Sequence, residues 1–203
     1  MKFILVPIMA LGLLSTELKD ANDFDSDLDD IVRDLKMNIM DVAKCKQAQS
    51  DADDVVEEIE DALEEDPNNV ELQNLKKEAE ALSEFIGGVV LSTTGMPTND
   101  QFNLANKRVV AGVTSVTPNG ACVDVVKVTI GEFVSYMFQN NTSTNYKVVY
   151  KWKATTGMNT GSGEMGLWNH SMRQIYTNRD KPTQKGITVF GITCSVIPGL
   201  PGY

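Results

Sequence analysis

Residues that carry catalysis are scarce in this sequence. The chain of 203 residues has one histidine, His170, and three cysteines, and only 7% of its residues are aromatic. No serine lies in the G-x-S-x-G pattern of a nucleophile elbow, so His170 has no evident nucleophile to activate. The cysteines lack the spacing of metal ligands, and there is no C-x-x-C motif. We therefore predict that the protein is not an enzyme and that it holds neither a metal nor a cofactor.

Two motifs that resemble ligand sites are incomplete. Gly157, Gly161, Gly163 and Gly166 are not followed by Lys-Ser or Lys-Thr, as a phosphate-binding loop would require. The aspartate-rich residues 20–30 lack the central glycine and the final glutamate of a calcium loop. Acidic residues are favoured at a helix N-terminus by the helix dipole. The aspartates therefore predict a solvated helix start.

Positive charge is scarce in the first part of the chain. Residues 1–85 carry 8 Lys or Arg against 23 Asp or Glu, whereas residues 86–203 carry 10 against 5. This asymmetry predicts two units with different surroundings. The acidic part would repel nucleic acids and anionic membranes, and the positive charge of the second part is too dispersed for a nucleic-acid footprint. We expect no nucleic-acid partner and no strong membrane binding.

Residues 1–15 contain the longest apolar run of the chain. Met1-Lys2 precedes twelve mostly apolar residues, which is the form of a secretory signal. A helix of that length spans about 18 Å, so it cannot cross a hydrocarbon core of about 30 Å. Two interpretations stay open: a cleaved signal peptide, or a retained segment that is buried in an assembly.

Proline and glycine are absent from residues 24–65, where apolar residues recur in alternating steps of three and four. The pattern predicts one helix over about 24–65, a turn at 66–69, and a second helix over about 70–86 that Gly87-Gly88 ends. Residues 20–86 would then form an acidic helical hairpin or coiled-coil stalk. Its apolar seam consists of Phe24, Leu28, Ile31, Leu35, Val42, Val56, Ile59 and Leu63.

This seam needs a partner. The second predicted helix is less than half as long as the first, so folding back leaves residues 24–42 uncovered within one chain. Burial of one Leu or Ile side chain stabilises a fold by roughly 1.5–3 kcal/mol. We therefore predict self-association through the seam, with packing on the chain's own head as the alternative. Cys45 lies on the seam, either as an inter-chain cross-link or as a small buried thiol.

Short β-rich runs separated by turn residues fill residues 89–203. They predict an all-β head, sandwich-like or jelly-roll-like, and so an α+β chain. Cys122 and Cys194 lie in two of the long runs and are predicted to form a disulfide, with Cys45 outside the pair. The bridge would stabilise the head by roughly 4 kcal/mol. The predicted strands are 89–93, 108–116, 121–130, 132–138, 146–153, 167–177 and 187–196, with a loop at 154–166.

Residues 146–153 alternate between aromatic or aliphatic side chains on one face and mainly lysines on the other. The aromatic face is either core or an exposed surface for a sugar. The lysines are candidates to meet the acidic stalk of a neighbouring subunit. If the strands on either side of the 154–166 loop form a hairpin, both tryptophans come near one end of the head. The candidate binding surface consists of Tyr150, Trp152, Asn159 and Trp168.

The layout of an apolar N-terminus, a long helix and a cysteine-containing β head is similar to that of type IV pilins. The stretch Ala121-Cys122-Val123-Asp124-Val125-Val126 resembles the region of their first disulfide cysteine. The chain departs from that family because it has no glycine-ending leader, no glutamate at the fifth position after such a leader, and a strongly acidic helix. We assign no family from the sequence.

The sequence thus predicts a non-enzymatic structural subunit of an extracellular oligomer, filament or virus surface particle. The stalk would assemble copies of the chain, and the head would contact a carbohydrate or another structural protein. One alternative is an oligomeric carbohydrate-binding adhesin or lectin, which gains avidity from the stalk. The other is a pore-forming protein, against which the acidic stalk argues, because anionic lipid surfaces repel it.

Overall fold

The computed structural model describes residues 19–93, 96–179 and 186–198. Residues 1–15, with their two interpretations, lie outside the described residues. The described chain contains four α-helices, α1 (Ala21–Met37), α2 (Val42–Glu65), α3 (Val70–Phe85) and α4 (Asn99–Val109), and a π-helix (Ile86–Leu91) that continues α3. The strands are β1 (Gly112–Ser115), β2 (Asp124–Ile130), β3 (Phe133–Gln139), β4 (Tyr146–Ala154), β5 (Thr160–Leu167), β6 (Met172–Thr177) and β7 (Ile187–Val196). The α+β class is confirmed.

The strands form two antiparallel sheets. The four-stranded sheet has the order β1-β2-β3-β6, and the three-stranded sheet has the order β5-β4-β7. Strand β3 is buried at every position from Phe133 to Phe138. A strand that is buried on both faces must be covered from both sides, and two separate hydrophobic clusters cover it.

One cluster joins the helices to the four-stranded sheet, and the other joins the two sheets. Val128 and Met137 pack with the helices, whereas Val125 and Phe138 pack with Val148 of the three-stranded sheet. The molecule therefore has three layers: helices, four-stranded sheet, three-stranded sheet. The structure does not confirm a separate coiled-coil stalk, because the helices share a core with the sheet next to them.

The helix predicted over residues 24–65 is broken into α1 and α2. Asn38 caps the end of α1, and its Nδ2 donates to the Asp34 carbonyl oxygen at 2.9 Å. Asp41 begins α2 by accepting the backbone N–H groups of Ala43 and Lys44 at 2.9 and 3.2 Å. Local side-chain hydrogen bonds of this kind compete with helical ones, so two polar residues end one helix and start the next.

The break also shifts the apolar face of α2. Val42 is 43% exposed, and Val56 and Leu63 are only partly buried. Ile59 is the one predicted seam position of α2 that is fully buried. The buried residues of this helix are Cys45, Ala48, Ala52, Val55, Ile59 and Ala62.

The predicted seam of α1 is buried inside its own chain. Phe24, Leu28, Ile31 and Leu35 are all 8% exposed or less, in the cluster that α1 shares with α3, α4 and the four-stranded sheet. The expectation that residues 24–42 lack an intramolecular partner is therefore wrong. It failed because the break at residues 38–41 was not predicted: this break lets α2 fold back against α1, and α3 and α4 supply the rest of the cover.

Helix α4 and the π-helix replace the first predicted strand and part of the second. Thr98 and Gln101 form a reciprocal capping box at the start of α4: the Thr98 hydroxyl oxygen accepts the Gln101 N–H at 3.1 Å, and the Gln101 side-chain oxygen accepts the Thr98 N–H at 2.9 Å. Gly87-Gly88 does not end α3, because the backbone continues as the buried π-helix to Leu91. The predicted strands at 89–93 and 108–111 are therefore helical or irregular.

The predicted loop at 154–166 is mostly strand β5, which forms a hairpin with β4. Trp152 pairs with Gly161, and Tyr150 pairs with Gly163. A Cβ atom on Gly161 would lie 2.7 Å from the Trp152 ring, and one on Gly163 would lie 2.6 Å from the Tyr150 hydroxyl oxygen. These glycines make room for the aromatic rings of the neighbouring strand, so they do not mark a flexible loop.

Candidate functional site

The predicted disulfide between Cys122 and Cys194 is confirmed. The two Cα atoms are 6.1 Å apart, and 72 positions of sequence separate them. Cys122 lies just before β2, and Cys194 lies in β7 opposite Val148. The bridge therefore ties the four-stranded sheet to the three-stranded sheet, beside the core that those sheets share.

Cys45 lies outside the disulfide, as predicted, and it is fully buried. Its thiol donates to the Ile39 carbonyl oxygen at 3.4 Å. Burial raises the pKa of the thiol, and the nearby positive charge of Arg179 only partly offsets this. A buried neutral thiol is a poor nucleophile, so the structure matches the small buried thiol among the two interpretations of Cys45.

Arg179 links the end of β6 to the helical layer. Its guanidinium donates to the carbonyl oxygens of Val90 and Ile39 at 2.8 and 2.7 Å, and its centre lies 5.1 Å from the centroid of the Phe133 ring. The Ile39 carbonyl belongs to the break between α1 and α2, and the Val90 carbonyl belongs to the π-helix. One cation thus satisfies backbone groups at both irregular points of the helical layer.

A second partly buried cation, Arg108 of α4, ties three helices together. Its guanidinium pairs with Asp25 and Asp29 of α1 and with Glu78 of α3, all at 2.6–2.7 Å. Burial acts to lower the pKa of Arg108, but hydrogen bonds with Glu78 and Asp25 outweigh it, so the pKa is raised. The acidic start of α1 therefore binds a cation of its own chain.

The four residues of the predicted binding surface do not form one surface. Tyr150 is buried, with its ring edge-on to Phe138 at 5.0 Å between centroids. Trp152 pairs with Gly161 near the turn of the β4–β5 hairpin, and Asn159 is exposed in that turn. Trp168 follows the opposite end of β5 and is 45% exposed. The six-residue offset along β4 separates the tryptophans by about 20 Å. The expectation that both rings meet at one end of the head is wrong.

The outer side of the three-stranded sheet is polar and basic, and we call it the basic face. Its central strand presents Lys147, Val149, Lys151 and Lys153, and β7 adds the 40% exposed Phe190. Glu164 of β5 is the only carboxylate on this side of the three strands, and it pairs with Lys147 at 3.0 Å. The remaining positions of the face are Thr160, Ser162, Gly166, Thr188, Thr193 and Ser195.

The outer side of α1 and α2 is acidic, and we call it the acidic face. The two helices contain fifteen Asp or Glu and four Lys or Arg, a net charge of −11. The groove between them encloses about 320 Å³. Lys19 lies in this groove and donates to Asp27 at 2.9 Å and to Glu58 at 2.7 Å. These hydrogen bonds, chiefly the one with Glu58, raise the pKa of Lys19. The other acidic residues of the groove are Asp30, Asp34, Asp51 and Asp54.

No known family model, curated protein or solved structure matches the chain. Across residues 19–93, 96–179 and 186–198, no helix is both long and apolar enough to cross a membrane. In the same part of the chain, no group of three His, Cys, Asp or Glu side chains is placed to hold a metal ion. The features that remain for a functional argument are the two charged faces, the disulfide and the surroundings of Trp152.

Proposed function

We propose that the protein is a non-enzymatic structural subunit that assembles head-to-tail with further copies of itself, in an extracellular filament or on a particle surface. The observation that supports this proposal is the opposite charge of its two outer layers. The acidic face belongs to the helical layer, and the basic face belongs to the three-stranded sheet.

The order of the three layers determines how two copies would stack. The helices and the three-stranded sheet cover opposite sides of the four-stranded sheet. A second copy stacked along the layer direction brings its acidic face toward the basic face of the first. Such a contact joins the acidic face of one copy to the basic face of the next, so one acidic face and one basic face remain free at the ends of the row. Repetition gives a ring or an open filament.

In this contact the charges would orient the two copies, and exposed apolar side chains would stabilise the interface. Exposed ion pairs contribute little individually, but complementary fields steer association and disfavour wrong orientations. Val149 and Phe190 are 41% and 40% exposed amid the lysines, hydroxyls and Glu164 of the basic face. Their burial against a neighbour would add a hydrophobic contribution that salt does not screen.

The disulfide supports an extracellular location. Structural disulfides persist mainly in oxidising compartments such as the extracellular space and the bacterial periplasm. The bond between Cys122 and Cys194 holds the sheet that carries the basic face. A subunit that works outside the cell would keep this bond without a reducing system to break it.

A charge-swap experiment tests the assembly. Lys151→Glu/Lys153→Glu makes the basic face acidic, and Asp51→Lys/Asp54→Lys removes most of the net negative charge of the acidic groove. We expect sedimentation velocity at low ionic strength to show assembly of the unaltered protein and loss of assembly in each variant alone. Because the first variant keeps its acidic face and the second keeps its basic face, an equimolar mixture should form one-to-one pairs. Assembly should weaken as salt rises.

The matched control is Lys77→Glu/Lys107→Glu, which makes the same charge change on exposed residues of α3 and α4 away from both faces. This control should assemble like the unaltered protein. A protein that stays monomeric at every salt concentration, or a mixture of the two swapped variants that forms no pairs, would contradict the proposal.

A further inference from the structure

A groove of about 420 Å³ lies where the three layers meet. Leu91 and Ser92 at the end of the π-helix form one wall, and strand β6 forms another through Gln174, Tyr176 and Thr177. Trp152 of the three-stranded sheet completes it. Its volume lies within the range of about 300–1,000 Å³ that is typical of small-molecule sites.

The Trp152 ring is fixed in place by the glycine opposite it. Three atoms of the indole would each lie 2.7 Å from a Cβ atom on Gly161, so the ring lies across the glycine backbone. One side of the indole is thus covered by β5, and Trp152 also lines the groove. A large aromatic surface that is already immobilised loses little conformational entropy when a ligand stacks on it.

Polar groups that form hydrogen bonds line the same groove. The Gln174 amide nitrogen donates to the Val89 carbonyl oxygen and to the Ser135 hydroxyl, which holds the side chain and leaves its oxygen as an acceptor. The Thr177 hydroxyl accepts the Arg179 N–H at 3.3 Å and retains its own hydrogen to donate. Ser92 adds an exposed hydroxyl from a left-handed turn with φ of 57°.

None of the described residues that line the groove is charged. A groove for a nucleotide, a phosphate or an acidic sugar would need a cation, because a buried anion without a partner is strongly unfavourable. A neutral sugar offers apolar C–H faces that stack on an aromatic ring and hydroxyl groups that both donate and accept. That chemistry fits a groove lined by an indole, an amide and two hydroxyls.

We propose that this groove binds a neutral saccharide, with one sugar ring stacked on Trp152 and its hydroxyls bonded to Gln174, Thr177 and Ser92. Of the surface that the sequence predicts for sugar, this site retains Trp152 and excludes Tyr150 and Trp168. It lies between the layers, apart from the basic and acidic faces. The binding activity is therefore separable from head-to-tail assembly.

Titration calorimetry of the full chain with maltose, cellobiose, lactose and chitobiose at millimolar concentrations tests the proposal. We expect saturable binding of at least one of these four probes. Trp152→Phe keeps a ring over Gly161 but removes about a third of the stacking area, so binding should weaken about threefold or more. Thr177→Val removes one hydrogen bond and should weaken binding about threefold. Circular dichroism verifies that each variant is folded.

Two control variants distinguish binding in the groove from binding at Trp168 or on the basic face. Trp168→Phe should leave the affinity unchanged, and it makes Trp152 the only tryptophan, whose emission should then change on binding. Lys151→Glu/Lys153→Glu should retain binding even where assembly is lost. Failure of all four probes to bind, binding of sialyllactose in place of lactose, or unchanged affinity in both Trp152→Phe and Thr177→Val would overturn the proposal.

Discussion

The helical layer and the three-stranded sheet cover the same four-stranded sheet from opposite sides, but different interactions hold them there. The helices present apolar side chains, Arg179 connects their two irregular points, and Arg108 ties α4 to α1 and α3. The three-stranded sheet also has an apolar core, and in addition it presents aromatic side chains over glycines and is fixed by a disulfide. Both attachments are apolar, but only the second adds a covalent bond and close aromatic–glycine contacts.

This difference decides which substitutions are severe. The apolar packing of the helical layer is spread over many side chains. The three-stranded sheet adds to its apolar core one covalent bond and two aromatic–glycine pairs that leave no room for an added methyl group. Substitutions at the disulfide or at these glycines should therefore lower the free energy of unfolding by more than the few atoms changed would suggest.

Removal of the disulfide should have the largest effect. Cys122→Ala/Cys194→Ala removes a link between positions 72 residues apart, and the free energy of unfolding should fall by about 4 kcal/mol. Thermal unfolding, followed by far-ultraviolet circular dichroism for the helices and by tryptophan emission for the sheets, measures the change. Because the four-stranded sheet shares a core with both outer layers, both signals should shift together.

Cys45→Ala is the control for this experiment. It deletes a buried thiol in the helical layer and leaves the bridge intact, so its effect should be smaller. If the helical signal of the double variant keeps its original midpoint while the tryptophan signal shifts, the helices form an independent unit and the shared core is refuted.

The aromatic–glycine pairs should give the next largest effect. Gly163→Ala places a methyl group 2.6 Å from the Tyr150 hydroxyl oxygen, so the ring must move within a packed cluster. Overpacking of this kind lowers the free energy of unfolding by about 1–3 kcal/mol. Urea unfolding with tryptophan emission as the signal checks the prediction.

Gly166→Ala provides a matched control on the same strand. Its added methyl group would meet only the Ile197 side chain, at 3.9 Å. The control should unfold within a few tenths of a kcal/mol of the unaltered protein. Equal destabilisation by both substitutions would mean that the glycines matter for the backbone of β5 and not for the aromatic rings opposite them.

The sequence predicted local features of the fold better than it predicted their partners. Alternation along 146–153 and the two head cysteines were sufficient to predict a strand and a bridge, because each depends on short-range pattern or on covalent chemistry. The stripe of α1 was also evident. Its partners were not, because the break that folds α2 back onto α1 was missed and because the short α4, with its capping pair Thr98 and Gln101, lies in β-rich surroundings.

The surroundings of Trp152 show a different reason for failure. Glycine at four positions between 157 and 166 is typical of a loop, and in the structure two of these glycines lie under aromatic rings of the next strand. This pairing depends on the tertiary structure and leaves no pattern in the local sequence. The groove likewise unites the end of a π-helix with two strands that are distant in sequence. No spacing rule connects such residues.

The smallest expected effect concerns the break between α1 and α2. Asp41→Ala removes the side-chain acceptor for the N–H groups of Ala43 and Lys44, and loss of such a cap typically lowers the free energy of unfolding by about 1 kcal/mol. Asp61→Ala changes an exposed aspartate inside α2 and serves as the control. Denaturant unfolding of both variants gives the comparison, and the control should be neutral.

This variant also tests why the chain breaks where it does. A continuous helix through residues 38–41 would keep Val42 and Val56 on one face with Leu35, as the three–four pattern of the sequence suggests. The observed break instead buries Cys45 and Val55, and the Ile39 carbonyl oxygen that it exposes accepts a hydrogen bond from Arg179. Tertiary contacts therefore hold the break as firmly as the cap does. We expect Asp41→Ala to lose stability without gaining helix, so the circular dichroism of its folded state should equal that of the unaltered protein. A measurable increase in helical signal would show that Asp41 alone separates two helices that otherwise join.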